Sequence, residues 1–113
     1  MKYFRIEEFN CQETGNNEMN PDFLEKVDEL RGRCGFPLAV TSGYRDPSHS
    51  IEVLKSNPGT HTQGIAADIR IQSANHRHIL LTNAFEMGFT GIGIAQTFIH
   101  VDTRDSIPVV WTY

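Results

Sequence analysis

One stretch of the sequence combines a strand pattern with two residue types that bind metals: GTHTQGIAADIR, residues 59–70. Its second half begins an alternating pattern that continues to residue 71 and is typical of a half-buried β-strand. Apolar side chains lie on one side of this strand, and Asp68 lies on the other. His61 comes just before the strand. The stretch therefore predicts a strand with an aspartate on its polar face and a histidine close to its start.

The composition is that of an ordinary globular domain. The 113 residues contain 39% hydrophobic and 21% charged residues, with nine glycines and five prolines. This length and balance predict one domain that spans residues 1–113. The formal net charge of −4 and the lack of a Lys/Arg cluster argue against a nucleic-acid partner or a membrane-surface partner. We expect a monomer.

Two features bear on the compartment in which the protein works. Cys11 and Cys34 fit no zinc-finger spacing, so we expect two buried free thiols, with a single disulfide as the alternative. The opening residues MKYFRIEEFN lack the apolar run of a secretory signal. We therefore expect a protein made in the cytoplasm, which reaches a substrate outside the cell only if something else delivers it.

Helix signals occur at two places. Asn20 is a suitable N-cap, Pro21 fits the first helical position and Gly35 provides a stop, so a helix is predicted between them. Ser73 predicts the cap of a second helix that continues to about Glu86. The predicted buried faces comprise Phe23, Val27, Leu30 and Cys34 in the first helix and Ile79, Leu80, Ala84 and Met87 in the second.

Strand patterns account for much of the remaining sequence. Besides the strand at 65–71, a short buried strand is predicted within 36–45, a tightly joined pair within 89–104, and a last strand in the tail at 107–113. A longer excursion with turn residues separates the first two strands. This order predicts an α+β fold, with a small antiparallel or mixed central sheet that carries the helices on one face.

Three residues of the predicted strands and loops can form a metal site. His61 and Asp68 come from the opening stretch, and His100 lies on the strand TFIHVDT, residues 97–103. Two imidazoles and one carboxylate are the ligand set of an open catalytic zinc site, which leaves a position for water or substrate. Taken singly, each has an ordinary alternative as a loop histidine, a strand-edge charge or a core histidine. Alternation places Asp102 on the same face as His100, and two such groups side by side favour a functional site.

Four motifs occur in the order in which a known family has them: TSGYRDPSH (41–49), GTHTQGIAADI (59–69), GFTGIGI (88–94) and FIHVDTR (98–104). In these motifs the chain resembles the zinc D-alanyl-D-alanine carboxypeptidases, which share their fold with hedgehog signalling domains. It is most similar to the small single-domain branch of bacteria and their phages. The resemblance implies a central antiparallel sheet and hydrolysis of peptide bonds in peptidoglycan stem peptides. It also implies one Zn²⁺ bound by His61, Asp68 and His100.

The resemblance also suggests which residues meet the substrate. It implies that Arg45 lies near the zinc, where its planar guanidinium binds a substrate carboxylate or the polarised carbonyl oxygen. Ser42 and Tyr44 either line the same pocket or build the turn. His49 is either a substrate contact, a support for a ligand or a cap of its loop.

The general base is missing from the positions where relatives carry it. Many relatives have a glutamate three residues before the last ligand, where this chain has Thr97, and others have a histidine at the position of Phe98. A serine that is frequent two residues before the first ligand is replaced by Gly59. Asp102 is then the candidate base. Alternatively, it accepts the second N–H of a ligating histidine and fixes its tautomer.

These features predict a zinc metallopeptidase that acts on stem peptides, either at a terminal D-Ala-D-Ala or at an internal bond such as L-Ala-D-Glu. The lack of a secretory signal fits a phage lysis enzyme that needs a helper to reach the wall, a part of a virion protein, or an enzyme that acts in the cytoplasm. The missing glutamate favours an alternative, a zinc-stabilised binding module of the same fold without turnover.

Overall fold

The computed structural model describes residues 1–113. Its helices and strands are, in chain order, α1 (Pro21–Cys34), β1 (Val40–Ser42), β2 (Ala66–Arg70), α2 (Ala74–Glu86), β3 (Gly91–Ile94), β4 (Phe98–Asp102) and β5 (Val109–Thr112). Two short 3₁₀ helices lie at Ile6–Phe9 and Glu52–Leu54. The predicted α+β class is confirmed. Neither α-helix has the length and apolar character that crossing a bilayer requires.

Both helices begin where the capping residues predict. The side chain of Asn20 accepts a hydrogen bond from the N–H of Phe23 at 3.1 Å, and Ser73 accepts one from the N–H of His76, also at 3.1 Å. These bonds satisfy N–H groups that have no partner within the first turn. Gly35 follows α1 with a φ of 77°, the left-handed conformation that ends many helices.

The predicted helix faces lie against the sheet. All four residues predicted on α1 are buried. On α2, Leu80 and Ala84 are buried, whereas Ile79 and Met87 are partly buried and pack against the same core. Cys11 and Cys34 are both buried free thiols, as expected.

The sheet is mixed and has the strand order β1-β2-β4-β3-β5. The first four strands in this order pair antiparallel, whereas β5 pairs parallel to β3. Of the two forms predicted from the order of elements, antiparallel or mixed, the structure has the mixed one, and the central antiparallel strands that the resemblance implies are joined by one parallel edge strand. After β4 the chain reverses direction and crosses to the far side of β3, where β5 pairs with β3. Because β3 and β5 both run opposite to β4, they are parallel to each other. The strand predicted within 36–45 is reduced to three residues, and its register against β2 shifts between Val40 and Ser42.

The sheet has one face toward the core and one toward the candidate site. Ile69 pairs with Ile99 and Ala67 with Val101, and all four are fully buried in the core. On the opposite face, Asp68 pairs with His100 and Ala66 with Asp102. The alternation of side chains along β2 and β4 thus separates the core from the residues with metal-ligand chemistry.

Candidate metal centre

The metal-ligand side chains lie in one row across the site face of the sheet. Ser42 pairs with Asp68, and Asp68 pairs with His100. Gly93 pairs with His100 on one side and with Trp111 on the other. Residues directly opposite each other on neighbouring strands share a face and have their Cβ atoms about 4.5–5.5 Å apart. The row therefore brings a carboxylate and an imidazole together in the middle of the sheet.

Two glycines of β3 leave room for this arrangement. A Cβ atom at Gly91 would overlap the carboxylate of Asp102, and one at Gly93 would lie 2.7 Å from Nε1 of Trp111. Neither glycine has a positive φ, so space and not backbone conformation requires them. The alternating glycines of GFTGIGI thus admit two large side chains from the neighbouring strands.

His61 reaches the cluster from the loop that leads into β2. Gly64 makes the turn between them with a φ of 75°, and a Cβ there would overlap the carbonyl oxygen of Glu18. Nδ1–H of His61 donates to the carbonyl oxygen of Gly43 at 2.7 Å. Because a carbonyl oxygen only accepts, the hydrogen lies on Nδ1, and the lone pair of Nε2 is left for a metal ion.

Three donor atoms converge at Asp68. Its Oδ1 lies 3.2 Å from Nε2 of His61 and 3.0 Å from Nδ1 of His100. One ligand atom from each of the three residues lies within 4.8 Å of the others, and all three residues are buried. Two imidazole nitrogens and a carboxylate oxygen are donors that suit Zn²⁺ and leave a coordination position for water or substrate. The chemistry of the cluster therefore fits the ion that the sequence predicts.

The charges in the cluster are paired. Burial opposes ionisation of Asp68, but without a metal ion the contacts of its carboxylate with the imidazoles of His100 and His61 outweigh burial and hold the pKa of Asp68 well below its usual range. Burial likewise opposes protonation of His100, but Asp102 and Asp68 outweigh it and raise the pKa of His100. Asp68 is therefore an anion at neutral pH, as a ligand to a cation has to be.

Asp102 supports His100 from a position outside the cavity. It is 0% exposed, and its Oδ2 lies 2.7 Å from Nε2 of His100. Arg104 donates to the same carboxylate from its backbone N–H at 3.1 Å and from Nε and Nη2 at 3.0 and 2.7 Å. Both of its oxygens are therefore occupied, and it has no surface open to the water that a general base would have to reach. The geometry favours the alternative, in which Asp102 fixes the tautomer of His100.

Arg45 lies beside the ligands, between two carboxylates. Its Nη1 is 3.5 Å from Oε2 of Glu52, and its Nη2 is 3.6 Å from Oδ2 of Asp68. Its backbone N–H donates to the carbonyl oxygen of His61 at 3.3 Å. The guanidinium is held at a fixed place next to the cluster, where a group that binds substrate would be needed.

Glu52 is a member of the site that the sequence analysis missed. Its side chain is 2% exposed and accepts hydrogen bonds from Nζ of Lys55 and Oγ1 of Thr62, both at 2.7 Å, and from the N–H of Gly59 at 3.3 Å. Burial opposes its ionisation, yet these bonds outweigh burial and lower the pKa of Glu52 to about 2. A Cβ at Gly59 would lie 2.9 Å from Nζ of Lys55, so glycine leaves space for this ion pair. No sequence signal marks Glu52, which looks like an ordinary glutamate of a polar loop.

A cavity of about 710 Å³ opens over the cluster. Its lining includes the three candidate ligands, the cationic residues Arg45, Lys55 and Arg104, and the aromatic residues Phe98, Trp111 and Tyr113. The ring of Trp111 lies 5.1 Å from that of His100. The volume is typical of a site for a small ligand, and the mixture of charged and aromatic walls suits a peptide.

Three residues expected at the substrate pocket do not line this cavity. Tyr44 is buried, and its hydroxyl donates to Glu18 at 2.9 Å. His49 pairs with Glu13, with its Nε2 3.1 Å from Oε2. Ser42 ends the row of paired residues without reaching the cavity. These positions favour the structural alternatives, because the polar atoms of Tyr44 and His49 bind Glu18 and Glu13 and not the cavity.

Comparison with known protein families places the chain. A family model described as Peptidase M15 matches residues 2–102, which include all three candidate ligands and the chain from the first 3₁₀ helix through β4. Among curated proteins, no significant match to the chain is found.

Proposed function

Because the chain belongs to the peptidase M15 family of metallopeptidases, we propose that it is a zinc-dependent hydrolase of peptide bonds in peptidoglycan stem peptides. The observation that carries this proposal is the convergence of His61, Asp68 and His100 on one point of a cavity wide enough for a peptide. The stem peptide as substrate follows from the four motifs that resemble the carboxypeptidases. Such a substrate fits an enzyme of phage lysis, a virion-associated enzyme, or one that processes wall fragments in the cytoplasm.

The residues of the cluster have distinct tasks in holding the ion. Nε2 of His61, Nδ1 of His100 and a carboxylate oxygen of Asp68 would hold Zn²⁺, which supplies a Lewis acid that polarises a carbonyl and lowers the pKa of water. Gly43 and Asp102 each hold the second nitrogen of a ligating ring. Both imidazoles are thereby oriented before an ion arrives, which favours tight binding.

Arg45 would bind and orient the substrate. Its guanidinium is fixed by Glu52 and Asp68 next to the ligands. A fixed cation at this place can pair with a substrate carboxylate or stabilise negative charge that develops on the carbonyl oxygen during attack. Because the donor is oriented in advance, little reorganisation is needed when the substrate binds.

We propose a proton acceptor other than Asp102, whose carboxylate is buried and enclosed by His100 and Arg104. Outside the ligands, the cavity lining offers Asp105, Lys55 and Tyr113 as side chains able to carry a proton. Asp105 is the carboxylate of this set and is the candidate to take a proton from water and return it to the leaving amine.

A second candidate function is a zinc-stabilised binding module without turnover. It is favoured by one observation, the lack of a carboxylate or imidazole at Thr97 and Phe98, where related enzymes carry the base. Both functions need the metal cluster and the cavity, so only the detection of a reaction product distinguishes the hydrolase from the binding module.

A hydrolysis assay tests the proposed function. Zinc-loaded protein is incubated with a D-Ala-D-Ala-terminated stem peptide and with one that carries an internal L-Ala-D-Glu bond, and new amines are identified by mass spectrometry. We expect cleavage of one bond, its loss with a chelator and its return with zinc. Stoichiometric zinc binding without new amines would favour the binding module, and failure to bind zinc would contradict both functions.

A further inference from the structure

Arg104 is held rigidly at the wall of the cavity. Its Nε and Nη2 donate to Asp102 at 3.0 and 2.7 Å, and the centre of its guanidinium lies 4.9 Å from the ring centroid of Trp111. One edge of the guanidinium is therefore fixed by a buried carboxylate, and one face is covered by an indole. Nη1 makes no hydrogen bond within the protein, and 31% of the side chain is exposed. Because Arg104 lines the cavity, its Nη1 edge is available to a ligand there.

The two arginines lie on opposite sides of the candidate ligands. Arg45 follows β1, one edge strand, and contacts Asp68 on β2. Arg104 follows β4 and contacts Trp111 on β5, the other edge strand. His100 lies between these contacts in the row of paired residues. A peptide whose reacting carbonyl lies at the cluster would meet one arginine on each side.

Each cationic side chain of the lining already has a carboxylate partner. Arg45 and Lys55 pair with Glu52, and Arg104 pairs with Asp102. Arg104 nevertheless keeps Nη1 free of any hydrogen bond, so this edge can take a further partner. An arginine with a free edge is suited to a carboxylate, which accepts charge-assisted hydrogen bonds from its fork.

We propose that Arg104 is a carboxylate-binding residue of the cavity, so that the cavity prefers peptides with a free carboxylate on the side of the reacting bond that meets Arg104. Arg45 orients the peptide at the cluster, and Arg104 binds that carboxylate. The inference rests on the proposed function for the reaction, but the binding preference is independent of turnover.

A binding measurement tests this preference. The probes are two stem tripeptides with a reduced, non-hydrolysable alanyl-glutamyl bond, which differ only in whether the glutamyl residue has a free carboxylate or a carboxamide. Trp111 is the sole tryptophan and contacts Arg104, so its fluorescence reports binding to the zinc-loaded protein. We expect the acid to bind about tenfold or more tightly than the amide, as for a charge-assisted hydrogen bond. Equal binding of the two peptides by the wild type would overturn the proposal.

Variants assign the preference to one arginine. Arg104→Gln is expected to weaken binding of the acid and bring the ratio within about twofold of one, whereas Arg45→Gln weakens both peptides and keeps the ratio. Arg70→Gln, an exposed arginine outside this cavity, is the matched control and keeps both affinities. Arg104→Lys keeps the charge without the planar fork and should give an intermediate ratio, which provides a second variant if Arg104→Gln fails to fold.

The outcomes separate this inference from the proposed function. An Arg104→Gln protein that keeps the full preference would overturn the role of Arg104. A wild-type preference without hydrolysis of any stem peptide would contradict the peptidase function and leave the carboxylate site standing. If the protein hydrolyses stem peptides but binds the acid and the amide with equal affinity, the peptidase function stands and the carboxylate site is contradicted.

Discussion

Nε2 of His100 lies 2.7 Å from Oδ2 of Asp102, a carboxylate with no exposed surface. The other ring nitrogen, Nδ1, lies 3.0 Å from Oδ1 of Asp68 at the cavity. The imidazole thus connects the candidate metal centre with a carboxylate held outside it. Because Asp102 follows two residues after His100 on β4, one strand face carries both the ligand and its support.

Asp102→Asn is predicted to weaken zinc binding. The amide can donate as well as accept, so the hydrogen of His100 is no longer fixed on Nε2. We expect the affinity for zinc to fall about 10–100-fold, as measured by competition with a chromogenic chelator. Asp105→Asn is the control, because Asp105 lines the cavity without contacting a ligand, and its zinc affinity should match the wild type. Unchanged zinc affinity in Asp102→Asn would show that the support is dispensable.

The metal cluster could be predicted from local patterns. Strict alternation along β2 and β4 places Asp68 and His100 opposite the core residues Ile69 and Ile99, and pairing in register then puts the two together. The helix caps could also be predicted from the sequence, because a cap depends only on residues within one turn. The alternation of side chains along each strand therefore determines which residues lie on the core face of the sheet and which lie on the site face.

The supporting contacts could not be predicted, because they depend on how loops and termini fold back and not on the alternation of side chains along a strand. Glu52 is buried only when its loop folds over Arg45 and Thr62. Asp28, on an otherwise apolar helix face, is buried because it accepts the backbone N–H groups of residues 2–4. The choice between the two roles considered for Asp102 was open for a similar reason, since face alternation does not reveal that Arg104, two residues further on, closes over the carboxylate.

Gly93→Ala is predicted to displace Trp111. The added Cβ would lie 2.7–2.9 Å from three atoms of the indole, so the ring has to leave its place beside His100. We expect a shift in tryptophan fluorescence and a loss of about 1–3 kcal/mol in the free energy of unfolding, as for other overpacked sites. Urea unfolding measures the second quantity.

Gly32→Ala is the matched control for this substitution. Gly32 lies within α1, and a Cβ there would meet only the edge of the Tyr3 ring, at 3.1 Å. Its tryptophan fluorescence should stay that of the wild type. If Gly93→Ala also keeps the wild-type fluorescence, the position of Trp111 does not depend on the absence of a side chain at residue 93.

His61→Ala is predicted to abolish stoichiometric zinc binding. The substitution removes one of three converging donors and leaves only two, which hold zinc much more weakly. Thermal unfolding with and without zinc gives an independent readout, because an ion that binds only the folded state raises its stability. The zinc-dependent rise in melting temperature should disappear in this variant.

His49→Ala provides the control for a histidine outside the cluster. His49 pairs with Glu13 and does not line the cavity. One equivalent of zinc and the full rise in melting temperature are therefore expected. Zinc binding that is lost in His49→Ala and kept in His61→Ala would place the metal centre elsewhere.

Glu52→Gln is predicted to lower stability at neutral pH and to have a smaller effect in acid. The folded protein lowers the pKa of Glu52 from 4.5 to about 2, so the carboxylate contributes stability above pH 4.5, and this contribution is lost as the pH falls toward 2. A shift of this size corresponds to a contribution on the order of 3 kcal/mol. Urea unfolding of the metal-free wild type and variant at pH 7 and pH 3 measures the difference.

The decisive quantity is the change of that difference with pH. Other carboxylates with lowered pKa values, Asp68 among them, titrate in both proteins and cancel in the comparison. Glu13→Gln is the control, because Glu13 is 43% exposed in its pair with His49 and water replaces most of what it loses. The gap between wild type and Glu52→Gln should narrow in acid, whereas Glu13→Gln should stay close to the wild type. A Glu52→Gln gap of equal size at both pH values would mean that the charge of Glu52 is not what holds its loop against Arg45.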